Sequence, residues 1–249
     1  RYRAQMEKEH LQEKLAQAEK LSAIGRLTQN IAHEIRNPLT SVGGFVRRLE
    51  REVADGTKAK EYAGLILSDV GRLEIILKNV LTFSSEEKPR LEEHDIHVVI
   101  DKALSTYDQI LRERSIRVRR SYGDLSGIQL DQGQVQEAIE NIISNAIHAM
   151  PGGGTLTIQT ARELVRDDPY ITVKITDTGE GIPQDRLGMI FEPFSTADET
   201  GIVTKLGLPI SRKIIEDHGG FITVESGLGK GAAFSLYFPQ KPRADNRLP

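Results

Sequence analysis

The chain has 249 residues and a formal charge of −3, from 33 Lys and Arg residues against 36 Asp and Glu residues. It contains no cysteine, which excludes disulfides, a thiolate metal site and a cysteine nucleophile. The near-neutral charge gives no electrostatic reason for binding nucleic acid or a membrane surface. No apolar run approaches the roughly 20 residues of a bilayer span, and the start does not resemble a signal peptide. Because the chain begins at Arg1, we expect it to be a part of a longer protein.

The first 20 residues show a helical pattern with a weak seam. Leu11, Leu15, Ala18 and Ser22 recur at i, i+4 and i+7 spacing. Small residues in this seam predict a weak coiled coil, which we assign as a signalling helix over residues 1–20. A solvated extension of the next helix explains the pattern equally well.

Residues 21–85 predict a helical hairpin. The helical pattern from Leu21 continues to a turn at Ala54–Thr57, and a second amphipathic helix runs from Lys58 to Ser84. A single hairpin leaves one apolar side open, so two hairpins are expected to pair as a four-helix bundle in a homodimer. The polar stretch 86–94 reads as a linker. The apolar face of the second helix contains Tyr62, Leu65, Ile66, Leu73, Ile76, Leu77, Val80, Leu81 and Phe83.

Residues 95–239 predict an α+β sandwich, because strands and helices are grouped without a regular βαβ alternation. Asp95 is a candidate cap for the first helix, and the tail 240–249 is expected to be disordered. The predicted helices are His97–Glu113, Gln134–Met150 and Leu206–Asp217. The predicted strands are Ile116–Arg119, Thr155–Thr160, Ile171–Asp177, Phe221–Ser226 and Ala232–Phe238, the last two forming an antiparallel pair, with an irregular glycine-rich stretch over 178–205.

The first candidate for chemistry is the segment around His33. His33 and Asn37 share a helix face one turn apart, and Glu34 lies beside them. Pro38 crowds the carbonyl of Glu34 and is expected to open this turn. A neutral imidazole attacks through one nitrogen if a base takes the proton of the other, and the adjacent carboxylate suits that role. A surface histidine beside a glutamate is the alternative.

A second candidate is the helical face that carries Glu137, Asn141 and Asn145 at successive i+4 positions. Asparagine is a poor residue for a helix interior, so two of them one turn apart need an explanation. Neutral amide oxygens that hold a hard cation beside phosphates provide one. Amides on a solvated surface are the alternative.

Three further segments lie in the second half of the chain. The strand-end carboxylate of Asp177 can accept a hydrogen bond from an amine, and the glycines of Asp177–Pro183 permit positive φ and close ligand approach. Ile190–Phe194 is interpreted either as an anchor for a lid or as a loop tether. Leu206–Leu208 begins a helix whose amides can receive phosphate.

Together and in this order, these motifs resemble a bacterial sensor histidine kinase of two-component signalling, over about Leu21 to Pro239. His33–Leu39 is similar to the phosphoacceptor box and Glu137–Asn145 to the N box. Asp177–Pro183 is similar to the first glycine box, Phe191–Phe194 to the F box, and Gly227–Gly231 to the closing motif.

The resemblance implies a dimerisation and phosphoacceptor hairpin, followed by an ATP-binding domain of the gyrase and heat-shock-chaperone type. It assigns His33 as the phosphorylated residue, Glu34 as its base, Asn37 as the residue that positions water for phosphatase activity, and Asn145 as the Mg²⁺ ligand. Asp177 reads the adenine amine, and the nucleotide contacts are Asn141, His148, Gly179, Gly181, Ile182, Thr204, Lys205, Leu206, Gly207 and Leu208. The implied partners are a second copy of the chain and the receiver domain of a response regulator, in the cytoplasm, with no nucleic acid and no direct membrane contact.

Two features set this chain apart, one from the ATP-hydrolysing members of the superfamily and one from the family's usual motif. The ATP-hydrolysing members of the superfamily carry a glutamate at the position of Asn141, and an amide cannot act as a base at neutral pH. The family's second glycine box usually reads G-T-G-L-G-L, but here its place is taken by Val203-Thr204-Lys205-Leu206-Gly207-Leu208, in which Val203 and Lys205 stand where the first two glycines are expected. Lys205 either supplies a cation to the phosphates or marks weakened ATP binding, or the lid has a shifted register.

We therefore expect ATP-dependent autophosphorylation on a histidine, followed by phosphotransfer to an aspartate of a response regulator, with regulator phosphatase activity. A scaffold that docks the regulator without transferring phosphate is one alternative. An ATPase whose hydrolysis drives conformational change is the other.

Overall fold

The computed structural model describes Ile35 and residues 38–84, 88–125, 127–193 and 206–240. The chain divides into two compact units, Arg1–Glu86 and Glu87–Pro249. The predicted coiled coil over 1–20 lies outside the described residues, and so does most of the predicted tail. None of the helices in these ranges combines the length and the apolar character that a membrane span requires.

The first unit is a helical hairpin. Helix α1 is described over residues 38–52, and α2 spans Lys58–Ser84. The turn between them lies where the sequence predicts it. Gly56 adopts φ +78°, and the Thr57 hydroxyl accepts the N–H of Lys60 at 3.3 Å while donating to the carbonyl of Ala54 at 2.8 Å. Lys60 also pairs with Asp55 across the turn.

The contact between α1 and α2 is narrow. A Cβ added to Gly43 would lie 3.3 Å from Val70 Cγ1, so the two helices approach closely at this glycine. Ala63, Val70 and Leu77 are buried. A larger set of apolar side chains stays exposed, which is the open face expected for a single hairpin. This set contains Ile35, Val42, Phe45, Leu49, Tyr62, Leu65, Ile66, Leu73 and Ile75.

The second unit is an α+β sandwich, as predicted. Its helices are α3 (Ile96–Thr106), α4 (Asp108–Glu113), α5 (Gln132–Ala149), α6 (Gln184–Leu187) and α7 (Gly207–Asp217). Its strands are β1 (Glu92–His94), β2 (Ile116–Tyr122), β3 (Ile128–Leu130), β4 (Gly154–Val165), β5 (Asp168–Asp177), β6 (Phe221–Ser226) and β7 (Ala232–Pro239). A five-stranded sheet has the order β2-β4-β5-β7-β6, with β2 parallel to β4 and the other pairs antiparallel. Strands β1 and β3 form a separate antiparallel pair.

The core lies between one face of the large sheet and the helices α3, α5 and α7. The register places Ile175 opposite Phe234 and Val173 opposite Leu236, and all four side chains are buried. Helix α5 contacts α3 and α7 on its two sides and also contacts β5. Its apolar stripe, which includes the fully buried Ile139 and Ile143, therefore fixes this helix at the centre of the layer.

Several predicted boundaries are wrong. The single helix predicted over His97–Glu113 is two helices, α3 and α4, separated at Tyr107. The hydroxyls of Ser105 and Thr106 both donate to the carbonyl of Lys102, which competes with helical pairing at this point. Strands β1 and β3 were not predicted, and β1 takes up Glu92–His94 of the predicted linker.

A buried histidine holds the ends of α7 and α5 together. His218 donates from Nδ1 to the carbonyl of Ile214 at 2.7 Å, so its Nε2 accepts the N–H of Asp131 at 2.9 Å. The Asp131 carboxylate caps α5 by accepting the N–H of Gln134 at 3.1 Å. It also accepts the N–H of Arg90 at 3.1 Å, which fixes the start of the second unit. Acceptance at Nε2 requires the neutral ring, because a protonated imidazole would donate from both nitrogens.

We expect the stability of the second unit to fall as the pH decreases below about 6.5, the ordinary histidine pKa. Burial lowers the pKa of His218, although the hydrogen bond to Ile214 and the nearby Asp131 and Asp217 oppose this effect. Below pH ~6.5 the His218 ring therefore binds a proton in the unfolded chain but not in the folded unit. Above this pH the ring is neutral in both states, so it adds no pH dependence. Chemical denaturation at several pH values measures this dependence.

His218→Gln provides the control for this dependence. The variant should be less stable at neutral pH, because one of the two hydrogen bonds is lost. Its stability should vary less with pH than that of the unmodified chain. Equal pH dependence in the two proteins would contradict the assignment of a neutral buried histidine.

Candidate functional site

The Asp177 carboxylate is held in place at the end of β5. The residue is buried, and its Oδ1 accepts the N–H of Gly179 at 2.8 Å and the N–H of Ala232 at 3.2 Å. Burial raises the pKa of this carboxyl, and the backbone hydrogen bonds partly offset the effect. Two donors on different segments thus fix the orientation of one acidic side chain.

The loop after Asp177 rests against the carboxyl end of α5. A Cβ added to Gly179 would lie 2.5 Å from the carbonyl oxygen of Ala149, and the N–H of Glu180 donates to that same oxygen at 3.1 Å. We predicted Gly179 as a point where a ligand approaches the backbone. The structure gives a different reason for glycine here, which is direct packing against α5.

The turn between β6 and β7 holds the other side of this loop. Gly181 has φ +73°, and a Cβ added to it would lie 2.1 Å from the carbonyl oxygen of Gly227. The N–H of Ile182 donates to the Ser226 hydroxyl at 2.8 Å. Gly181 therefore needs both its positive φ and its missing side chain, and glycine is the residue that fits this turn.

The two predicted amides lie on α5, one turn apart. Asn141 Nδ2 is buried and has no hydrogen-bond partner among the described residues. A Cβ added to Gly207, the first residue of α7, would lie 3.4 Å from Asn141 Oδ1. An unpaired buried N–H costs about 1–3 kcal/mol, so this position suits a ligand that brings an acceptor oxygen. Asn145 is half-buried on the same helix.

His148 lies in the last turn of α5. Its ring is exposed, and Nδ1 donates to the carbonyl of Ser144 at 2.7 Å. This hydrogen bond leaves Nε2 as the nitrogen that can contact a ligand. The sequence predicts a phosphate contact for His148, and its exposed ring permits one.

The start of α7 is fixed against α5. Leu206 is buried, and the Ser211 hydroxyl lies 2.9 Å from the carbonyl of Gly207 and 3.1 Å from the carbonyl of Ala138 on α5. The first turn of α7, which includes Leu208, is therefore positioned beside the Asn141 amide. Free N–H groups and the helix dipole make such an N-terminus favourable for anions.

These groups define a site with two chemically different ends. The Asp177 loop meets α5 at Ala149, and the start of α7 meets it at Asn141. At 1.5 Å per residue these points lie about 12 Å apart along the helix. One end offers a fixed acidic acceptor, and the other offers amides and a helix N-terminus. The site suits an elongated ligand with a hydrogen-bond donor at one end and negative charge at the other.

Phe191 links the segment after α6 to the rest of the unit. Its ring packs edge-on against Phe234 of β7 at 6.5 Å between centroids. The guanidinium of Arg212 on α7 lies 5.9 Å from the Phe191 ring centroid. These contacts fit both interpretations of Ile190–Phe194, the lid anchor and the loop tether, and Phe194 lies outside the described residues.

Other predicted site residues also lie outside the described ranges. They are His33, Glu34, Asn37, Thr204 and Lys205, together with Val203. In the described part of the chain, no three His, Asp or Glu side chains are grouped to hold a metal. Mg²⁺ needs few protein ligands when phosphates and water complete its shell, so a single amide oxygen such as that of Asn145 fits it.

Sequence reasoning missed one residue that contacts the site. Ser226 ends β6 and connects the Asp177 loop to the turn before β7. Its only sequence signal is its place just before the glycine-rich segment Gly227–Gly231, because a lone serine has no distinctive spacing.

Two family models match the chain in the order of its two units. Residues 23–89 match the His Kinase A (phospho-acceptor) domain. Residues 130–242 match the histidine kinase-, DNA gyrase B- and HSP90-like ATPase. Between them the two models cover most of the sequence, and the first includes His33.

Individual proteins give the same result. The chain is 32% identical over 234 residues to sporulation kinase C of Bacillus subtilis (strain 168), covering 93% of this chain and 53% of that protein. The chain spans about half the length, or less, of the curated relatives first matched.

Two solved structures match over nearly the whole chain. Histidine kinase ThkA in complex with response regulator protein TrrA matches with a TM-score of 0.66 and 29% identity, over 95% of this chain and 67% of that one. Full-length ShkA in complex with AMPPNP matches with a TM-score of 0.74 over 90% of this chain and 47% of that one. Because the identity to ShkA is 23%, this match shows a shared fold alone. The chain belongs to the histidine kinases and carries both the phosphoacceptor domain and the ATP-binding domain of that family.

Proposed function

We propose that this protein transfers the γ-phosphoryl group of ATP to His33 and then to an aspartate of a response regulator. The observation that carries the proposal is the presence of a phosphoacceptor domain and an ATPase domain on one chain. The fixed Asp177 carboxylate and the amides of α5 supply a site for the donor. The solved complex of ThkA with a response regulator supports a partner of the same kind here.

The two ends of the site suit the two ends of ATP. The Asp177 carboxylate accepts the exocyclic amine of adenine. The triphosphate lies toward Asn141, Asn145 and the first turn of α7, where the unpaired Asn141 Nδ2 gains an acceptor. The Asn145 amide oxygen would hold Mg²⁺ beside the phosphates, and the ion would supply positive charge that offsets their negative charge.

Transfer forms a bond between an imidazole nitrogen of His33 and the γ-phosphorus and breaks the bond to ADP. Glu34 takes the proton from the other ring nitrogen, which keeps the attacking nitrogen nucleophilic. Asn141 stands where hydrolysing relatives place a glutamate. Because an amide cannot deprotonate water at neutral pH, attack by water is disfavoured and transfer to His33 is favoured.

We propose that the protein acts as a homodimer through the first unit. The exposed apolar side chains of the hairpin, among them Phe45, Leu49, Tyr62 and Leu65, form the surface that a second copy buries. Two hairpins then complete a four-helix bundle. The dimer does not require the nucleotide, so variants that lose ATP binding should keep it.

Incubation with ATP labelled at the γ-phosphate tests the proposed activity. We expect acid-labile, base-stable label on the unmodified chain and none on His33→Gln. A protein that bound a response regulator without taking up label would be a scaffold. Release of free phosphate that survived His33→Gln would identify an ATPase, and either result would contradict the proposal.

We also propose that Asn37 positions a water that removes phosphate from the regulator. We expect Asn37→Ala to keep autophosphorylation and to slow release of phosphate from a phosphorylated regulator by about tenfold or more, because orientation of the water is lost. A time course of regulator dephosphorylation measures the effect. An undiminished rate would show that Asn37 has no such role.

A further inference from the structure

Ser226 makes two hydrogen bonds with one hydroxyl. The group accepts the N–H of Ile182 at 2.8 Å and donates to the carbonyl of Gly231 at 2.7 Å. The residue is half-buried at the end of β6 and lies opposite Ala232 in the β6–β7 pair. The hydroxyl proton of Ser226 therefore points toward the Gly231 carbonyl. The two hydrogen bonds fix the side chain relative to the segments that contain Ile182 and Gly231.

The bond to Gly231 acts on Asp177 through a single peptide plane. The carbonyl of Gly231 and the N–H of Ala232 belong to the same planar peptide unit, so fixing one fixes the other. That N–H donates to Asp177 Oδ1 at 3.2 Å. The Ser226 hydroxyl thus sets the rotation of the plane that holds the carboxylate, and the two hydrogen bonds polarise each other.

The bond to Ile182 acts on the loop that carries the second donor to the same carboxylate. Ile182 follows Gly181, and the loop between Asp177 and Ile182 includes Gly179, whose N–H is the other donor to Asp177 Oδ1. Ser226 therefore holds the far end of the loop as well as the turn before β7. One side chain therefore contacts both of the segments that carry the donors to Asp177.

We propose that Ser226 is a positioning residue that orients the Asp177 carboxylate and thereby sets the preference for a purine with a 6-amino group. This inference rests on the proposed function, in which Asp177 contacts adenine. Ser226 does not itself touch the nucleotide in this account. Its effect is on selectivity between bases, whereas a merely structural role would change stability alone.

The test measures equilibrium binding to the full chain by calorimetry, with ATP and with purine riboside triphosphate, which lacks the 6-amino group. The dissociation constant of purine riboside triphosphate divided by that of ATP is the selectivity ratio, and it reports the contact between the 6-amino group and Asp177. We expect Ser226→Ala to reduce this ratio about fivefold to tenfold, the value of roughly one hydrogen bond. Ser226→Thr keeps a hydroxyl and should restore the ratio to within about twofold.

Gln184→Ala is the matched control, because Gln184 Nε2 donates at 2.9 Å to the backbone carbonyl of the same Ser226. It should leave the ratio unchanged. If Ser226→Ala does not fold, Ser226→Cys tests the same point, since a thiol is a weak hydrogen-bond donor of similar shape. The role of Ser226 is overturned if the ratio is unchanged in the Ser226→Ala or Ser226→Cys variant. It is also overturned if Gln184→Ala reduces the ratio as much as Ser226→Ala does. An unmodified chain that binds both nucleotides equally overturns adenine reading by Asp177, and no binding at all overturns the proposed function.

Discussion

Gly231→Ala is expected to lower the free energy of unfolding of the second unit by about 3 kcal/mol or more. Gly231 has φ +74°, and an added Cβ would lie 2.1 Å from the backbone carbonyl oxygen of Asp177. Neither the turn nor the end of β5 can move away without breaking the hydrogen bond between Ala232 and the Asp177 carboxylate. Denaturant unfolding of the second unit measures the loss of stability. An ATP-binding measurement reports the loss of the hydrogen bond that holds the Asp177 carboxylate.

Gly229→Ala is the control for Gly231→Ala, because it separates the cost of a positive φ from the cost of a steric clash. Gly229 has nearly the same φ, +73°, but an added Cβ meets no atom within 4 Å. Its alanine variant should therefore lose only the cost of a left-handed residue, about 1 kcal/mol. Similar losses in the two variants would show that the turn is not packed against Asp177 as described.

The second large effect is expected for Asp177→Asn, which should weaken ATP binding about tenfold to a hundredfold and remove labelling of His33. An amide can keep the hydrogen bonds from Gly179 and Ala232 through its oxygen. Its nitrogen then replaces the oxygen that we propose as the acceptor for the adenine amine. Because burial raises the pKa of the carboxyl and so disfavours its charge, an amide of the same shape should not unfold the unit.

Asp185→Asn is the matched control for this variant. Asp185 is exposed in the first turn of α6, in the same connecting segment, so removing its charge should leave ATP binding unchanged. Size-exclusion chromatography should show dimers for both proteins. Unaltered labelling of Asp177→Asn would remove Asp177 from the nucleotide site.

The sequence predicted those parts of the fold in which local pattern and tertiary packing agree. The apolar stripe of α5 and the largely apolar segments that form β5 and β7 predict the core layer directly. The hairpin between β4 and β5 was not predicted to be so long, because Arg166 and Asp167 occupy its turn with φ +50° and +69°. A turn of this kind is ordinarily marked by Asn-Gly, so these residues gave no signal.

The candidate residues of the site were easier to find in the sequence than the contacts that hold them in place. Asp177 and Asn141 stood out because a strand-end carboxylate and a mid-helix amide each need a reason. The role of Gly179 depends on contact with α5, which is distant in sequence and cannot be read from local spacing. Ser226 has no unusual residue type or spacing, and its importance comes only from the two segments that meet at its hydroxyl.

Phosphorus NMR of the full chain after incubation with ATP tests the central claim most directly. The account predicts a phosphoramidate signal, which mapping of the digested chain assigns to His33, and the absence of that signal from His33→Gln. A phosphate ester on a hydroxyl side chain would contradict the account. So would a protein that bound ATP at the site described and still left the His33 ring unphosphorylated.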